Sequence, residues 1–358
     1  MALRKILSLL PAVILPLMGT APATAPRPPK VSICMPVYNV ESWLPAALDS
    51  VLGQSLRDIE IICVDDGSTD GSLAILKKYA AKDPRIKVLE NVKNRGTLYA
   101  RVRAALATEG DYVLWLDPDD EMFPDAARLA YEKAEETGAD AVLMLVRDVC
   151  RKGGEATVRA WKLDLGAIHR PQDGKEMLLH LAHIRQFLWV LWDKLWRGEN
   201  IRATARELLP FAEKHHICRG GDLLIYWYAA KNTNSYVVLP YVSHRYYIDR
   251  GTASGNGKTK LEAGKKFVND ATLVFEKILA DDRELFEMLE VENVFWYYTP
   301  SVLRTAASLP RKEGQTLFDS YLAVFPPKIA KNILEFAERF NPQWYGAWRA
   351  AKMFSFAE

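Results

Sequence analysis

Cysteine, histidine and net charge are all scarce in this 358-residue chain, and each scarcity removes a class of answer. The four cysteines, at 34, 63, 150 and 218, show neither metal-site nor redox spacing, and Cys34 and Cys63 lie inside apolar runs, where buried thiols belong. Of six histidines, His180 and His183 share one helix side without an acidic partner, and His244 reads as structural. Lys and Arg total 47 against 45 Asp and Glu, and a net charge of +2 is too small for a nucleic-acid footprint. Beyond the first thirty residues no stretch approaches the length of apolar chain that crosses a bilayer. There is no internal repeat, and no low-complexity segment beyond an early Pro/Ala tract.

What is present is a large apolar fraction, 49% of residues, enough for a substantial core in two domains or in one with a large appendage. Most of the ten Trp and fifteen Tyr fall after residue 180. The start stands apart. A basic MALRK, an apolar Ile6–Met18 broken by Pro11 and Pro16, and the small-residue site Ala23-Thr24-Ala25 resemble a secretory signal peptide. Residues 1–30 are therefore set aside as a signal-like or disordered extension.

From residue 31 the chain alternates. Apolar strand runs over 31–37, 59–64, 86–89, 112–116 and 141–146 are separated by helical patterns over 41–54, 72–81, 97–107 and 123–137. Strands alternating with helices of this length predict βαβ units, an α/β fold with a mainly parallel sheet flanked by helices. Past residue 150 the alternation weakens. Residues 174–200 read as helix with a Trp-rich end, 222–230 as an apolar helix, and 236–248 as a Val- and Tyr-rich strand. From Lys260 onward the pattern is helical, broken at Pro310 and Pro326-Pro327, which predicts an α-helical C-terminal appendage. The division is then 31–150, 151–257 and 258–358.

Two acidic clusters close two of the strands. Asp65-Asp66-Gly67-Ser68-Thr69-Asp70-Gly71 follows the 59–64 run, and Asp117-Pro118-Asp119-Asp120 follows the 112–116 run. Ligands of open α/β sheets sit outside the carboxyl ends of the strands, so both clusters face the expected binding rim. Oxygen ligands without His or Cys suit a hard divalent ion, Mg²⁺ or Mn²⁺, shared with substrate phosphates. A calcium EF-hand starting at Asp66 is excluded because its twelfth position, which needs a bidentate Glu, is Lys77. Either cluster alone could be only a helix cap or an Asx turn; two of them, each ending a buried strand, argue for a site.

The runs VSICMPVYN, VDDGSTDGS, NRGTLYAR and LDPDDEMFPD resemble, in order and spacing over 31–146, the family 2 glycosyltransferases of the GT-A fold. LWDKLWR at 191–197 and RGGDLLIYW at 219–227 continue the resemblance. It implies a Rossmann-like sheet and transfer of a sugar from a nucleotide diphosphate to an acceptor hydroxyl, usually with inversion. By that resemblance Pro36, Val37 and Tyr38 lie against the base, Asp66 with Asp65 binds the nucleoside, and Gly96 and Arg101 border the nucleotide-sugar. Asp119 is the first acid of the metal motif, with Asp120 next to it and Asp117 before them. Asp222 is the general base, and Lys194, Trp192 and Trp196 lie on the acceptor side. Gly221 stands where the family often has Glu. Tyr246-Tyr247 stand where it often has an Arg, leaving Arg250 for the diphosphate loop.

The implied partners are a nucleotide-diphosphate sugar and a glycan or lipid-linked acceptor, as in bacterial surface polysaccharide synthesis, with association at a membrane surface and no nucleic acid. Because nucleotide sugars are made in the cytosol and the thiols lack a disulfide framework, a cytoplasmic location is expected despite the signal-like start; export is the alternative. A catalytically lapsed nucleotide-sugar-binding protein and a paired-carboxylate hydrolase are the competing functions. The intact acids speak against the first, and acids spread over several strand ends speak against the second.

Overall fold

The computed structural model describes residues 27–149, 157–159, 168–169, 190–247, 260–288, 292–346 and 349. Strands β1 (Val31–Val37) and β2 (Ile59–Asp65) are buried at every position. That is what an apolar run becomes when helices cover both faces of a parallel sheet. Side chains alternate faces with the strand period: Val31, Ile33, Met35 and Val37 enter one core with Ile59, Ile61 and Cys63, while Cys34, Ile62 and Val64 enter the other.

β3 (Ile86–Glu90) pairs parallel with β2, and β4 (Tyr112–Trp115) pairs parallel with β1. Beyond β4 the sheet continues with β9 (Lys194–Arg197), β6 (Ala141–Val149), β10 (Tyr236–Tyr247) and the short β5 (Glu121–Met122). β9 runs antiparallel to both neighbours, whereas β10 is parallel to β6. β7 (Thr157–Arg159) and β8 (Ile168–His169) pair with β6 and β10. A single sheet thus holds strands from both sides of residue 150.

Helices α1 (Leu44–Leu52) and α4 (Ala126–Thr137) cover the first face. α3 (Thr97–Leu106), α5 (Gly198–Lys214) and α6 (Gly221–Lys231) cover the second, and α2 (Ser72–Ala80) lies along β3. The C-terminal helices α7 (Lys260–Met288), α8 (Glu292–Ala307), α9 (Arg311–Leu322) and α10 (Pro327–Phe340) pack on that second side. Pro310 and Pro326 stand at the N-caps of α9 and α10, where the sequence breaks the pattern. The appendage shares one core with α6: Phe275 and Phe286 of α7 pack with Tyr298, Tyr321 and Phe325. Among the described residues no helix is long and apolar enough to cross a membrane.

One expected element is overturned in its described part. Residues 194–197 are strand and 198–200 begin α5, not the end of a helix over 174–200. The helical spacing of Trp192 and Trp196 is real, but two antiparallel neighbours offer the backbone a ladder on both edges, and that pairing decides a short aromatic segment. Trp189, His180, His183, Cys150 and the rest of that expected helix lie outside the described residues.

Candidate active site

The carboxyl end of β2 delivers two acids with different employment. Asp66 is buried and uses both oxygens on the loop after β3: Oδ1 accepts from Asn91 Nδ2 at 2.7 Å and from the Arg95 amide at 2.9 Å, and Oδ2 from the Gly96 amide at 2.9 Å. Burial raises its carboxyl above the usual range against the pull of these donors, with Asp65 adding to the rise. Asp65 accepts from the Ser68 amide at 3.1 Å through Oδ2, while its buried Oδ1 has no hydrogen-bond partner in the protein. Pro36 and Val37 are buried in β1, so of the three residues expected against a base only Tyr38, 39% exposed, presents its side chain to the rim. Asn39 turns the chain in the left-handed region at φ 51° and binds Thr69, zipping the β1 and β2 loops together.

The next contact is backbone on backbone. Gly96 has φ 92°, and a Cβ there would stand 2.5 Å from the Ile217 carbonyl oxygen. That carbonyl accepts from the Leu98 amide at 3.1 Å. Gly96→Ala is expected to destabilise the fold by at least about 2 kcal/mol, combining a left-handed penalty with a clash that rotamers cannot relieve. Urea unfolding measures it; a loss below half that size would mean the 94–98 loop does not seat on Ile217.

The same seam carries the central charge arrangement. Arg101, on α3 and almost fully buried, donates Nη2 to Asp117 Oδ1 at 2.8 Å and Nη1 to Asp222 Oδ1. Asp117 follows β4; Asp222 opens α6, where the helix N-terminus favours a carboxylate. Burial raises the Asp222 carboxyl, Arg101 opposes the rise and Asp117 adds to it, leaving it above the usual range. Two acids and a cation from three sequence segments are therefore in one contact, and both carboxylates keep about a quarter of their surface open. Gly221, where a second acid was expected, packs on Leu98: a Cβ would stand 3.1 Å from Leu98 Cβ. The missing Glu thus matches a close approach of α6 to α3.

The 117–120 turn divides its acids. Asp120 is buried and accepts from the Tyr247 amide at 2.9 Å, tying the turn to β10. Asp117 is held by Arg101, and Asp119 is half-exposed. Among the described residues no group of three His, Cys, Asp or Glu side chains converges as a metal cage. An all-oxygen turn of this kind fits an ion held by one or two carboxylates and completed by phosphate oxygens. His244 sits behind the turn, its Nε2 3.3 Å from the Trp115 carbonyl, and burial lowers it to about 4, so it is neutral at pH 7.

The acceptor-side candidates are mostly interior. Lys194 is buried against Asp193 and the Val190 carbonyl, and burial lowers its ammonium against the pull of Asp193. Trp196 is fully buried. Trp192, also buried, stacks on Tyr246 at 5.2 Å between ring centres. Arg250 lies outside the described residues. Sequence reasoning missed Asn91, whose only signal is its place just after β3, and Asp270, an acid inside the apolar run FVNDATLVF.

The chain is similar to known proteins in sequence and in fold. Residues 32–188 match the sequence model described as Glycosyl transferase family 2. The chain is 34% identical over 171 residues to an uncharacterized glycosyltransferase, EpsJ, of Bacillus subtilis, covering 48% of each chain. It is 38% identical over 127 residues to a poly(ribitol-phosphate) beta-glucosyltransferase of Bacillus spizizenii, covering 35% of this chain and 20% of that one. It therefore spans at most about half the length of these curated relatives. The crystal structure of S. aureus TarS 1-349 in complex with UDP superposes over 91% of this chain and 92% of that one, with a TM-score of 0.64 at 19% identity. That likeness shows the fold.

Proposed function

We propose, from the match of residues 32–188 to the Glycosyl transferase family 2 model, that the protein transfers a sugar from a nucleotide diphosphate to an acceptor hydroxyl. The observation that supports it most is the Arg101 bridge, which joins Asp117 at the donor-side strand end to Asp222 at the head of α6. Asp65 and Tyr38 offer the nucleoside an unused carboxylate oxygen and an exposed ring, and Asp66 fixes the loop that runs under it. Arg101 supplies positive charge beside the developing diphosphate. Asp222 takes the acceptor proton as the acceptor oxygen bonds to the anomeric carbon, and the bond from that carbon to the diphosphate oxygen breaks. One displacement inverts the anomeric centre. Asp119, with Asp117 or Asp120 beside it, would hold Mn²⁺ or Mg²⁺ against the diphosphate, where the ion neutralises the leaving group.

Binding of UDP to the wild-type chain and to Asp119→Ala, each with Mn²⁺ and with chelator, tests the metal assignment. We expect chelator to weaken wild-type binding at least about tenfold and to change little in Asp119→Ala. Equal affinity in all four measurements would remove the ion from the reading. Transfer assayed over a panel of nucleotide sugars tests the activity itself; nucleotide binding without turnover would favour a lapsed binding protein.

The acceptor in this reading is a glycan or lipid-linked sugar of surface polysaccharide synthesis, reached on the cytoplasmic side of a membrane where the donor is made. A reporter active only after export, fused after residue 40 and after the full chain, should stay silent. Strong activity would require a donor outside the cytosol.

A further inference from the structure

We propose that Asp270 of the C-terminal helix α7 is a positioning residue for Asp222, and that the appendage thereby sets the geometry of the active site. The inference rests on the reading of Asp222 as the base. Asp270 is fully buried, and its Oδ2 accepts from the backbone amides of Cys218 at 2.9 Å and Arg219 at 3.1 Å. Lys266, one turn earlier, donates both to Asp270 Oδ1 and to the His216 carbonyl. The amides and carbonyl of the loop leading into α6 are thus gripped by one face of α7.

The loop's other side is held by the donor half. Ile217 accepts from Leu98 and lies under Gly96, whose amide is bound by Asp66. Between these two grips the chain turns through Gly220 at φ 81°, packed beside Val274 and the Tyr298 hydroxyl, and emerges at Asp222. No side chain caps α6. The carboxylate that orders the approach to this helix therefore comes from another helix, and a shift of α7 moves Asp222 relative to Arg101. The far end of α6 has a separate tie: Trp227 Nε1 and Lys231 Nζ donate to Asp282 at 2.9 and 2.7 Å. That second carboxylate supplies a control of similar chemistry away from the site.

A double-mutant cycle on the full-length chain, read as urea midpoints, separates positioning from simple support. Asp222→Ala removes one of the two carboxylates on buried Arg101 and should lower the midpoint. In an Asp270→Ala background the same change should lower it by less than half as much, because the pair is no longer held together. In an Asp282→Ala background the shift should be undiminished. Hydrogen exchange of the 216–223 amides should be at least about tenfold faster in Asp270→Ala and unchanged in Asp282→Ala. Asp270→Asn keeps one acceptor oxygen and should restore most of the coupling; if Asp270→Ala does not fold, this variant carries the comparison. An undiminished Asp222→Ala shift in the Asp270 background, or no shift in the wild type, overturns the proposal. Failure of the base reading shows elsewhere, as near wild-type transfer by Asp222→Asn, so the two failures are distinguishable.

Discussion

Asp222→Asn should leave donor affinity within about threefold of wild type and lower turnover by roughly 10² or more, the usual scale for loss of a general base. The amide keeps the size of the carboxylate and an oxygen toward Arg101 Nη1, so the α3–α6 seam stays closed. What it loses is the capacity to take a proton. Donor binding should persist because the candidate nucleotide contacts, Tyr38, Asp65 and the Asp66-bound loop, lie on other elements. Single-turnover transfer at saturating donor, beside calorimetric nucleotide binding, measures both. The pH profile gives an independent check. A base works ionised, so turnover should fall as pH drops through the Asp222 value, which burial places above the ordinary carboxylate range. Asp222→Asn should lose that acid limb. A variant that transfers at a near wild-type rate with the limb intact would place the base elsewhere.

How much of this could be read in the chain varies by segment. β1, β2 and β4 were legible because strands buried on both faces leave mostly apolar runs, interrupted here only by Ser32 and Glu60, and an acid that follows such a run marks the rim. Asp65, Asp66 and Asp117 were found that way, and the structure puts all three at strand ends. Their partners were not legible. Arg101 reaches Asp222 across 121 residues, and Asn91 reaches Asp66 across 25, and no periodicity encodes a pairing of that span. β9 failed for a different reason: its aromatic spacing fits a helix, and only the neighbouring strand edges make it a strand. The C-terminal helices were read as helices, yet their periodicity could not show that Asp270 and Asp282 turn inward to hold α6. An acid within an apolar helical run was the available signal, and its partner amides lie on another element.

Arg101→Met should be the most damaging single change at the site for stability. It removes the cation shared by Asp117 and Asp222 and leaves two largely enclosed carboxylates facing an apolar side chain. Breaking such a pair from one side costs about 3 kcal/mol or more near neutral pH, because the remaining charges stay desolvated. The loss has a definite pH signature. Without Arg101 the Asp222 carboxyl, which burial already raises, loses the interaction that opposes the rise, so its folded pKa moves further above the unfolded one. An acid raised in the folded state binds more protons there than in the unfolded chain, so stability falls as pH rises. The deficit of Arg101→Met against wild type should therefore shrink as pH drops through the raised Asp222 value and grow toward neutrality. Adding Asp222→Asn should recover part of it at pH 7 by removing one of the stranded charges, without restoring transfer. Urea unfolding of the single and double variants at pH 5 and pH 7 checks both signs. A deficit equal at the two pH values, or an additive double variant, would mean that the guanidinium acts by filling space and that its charge does not govern this seam.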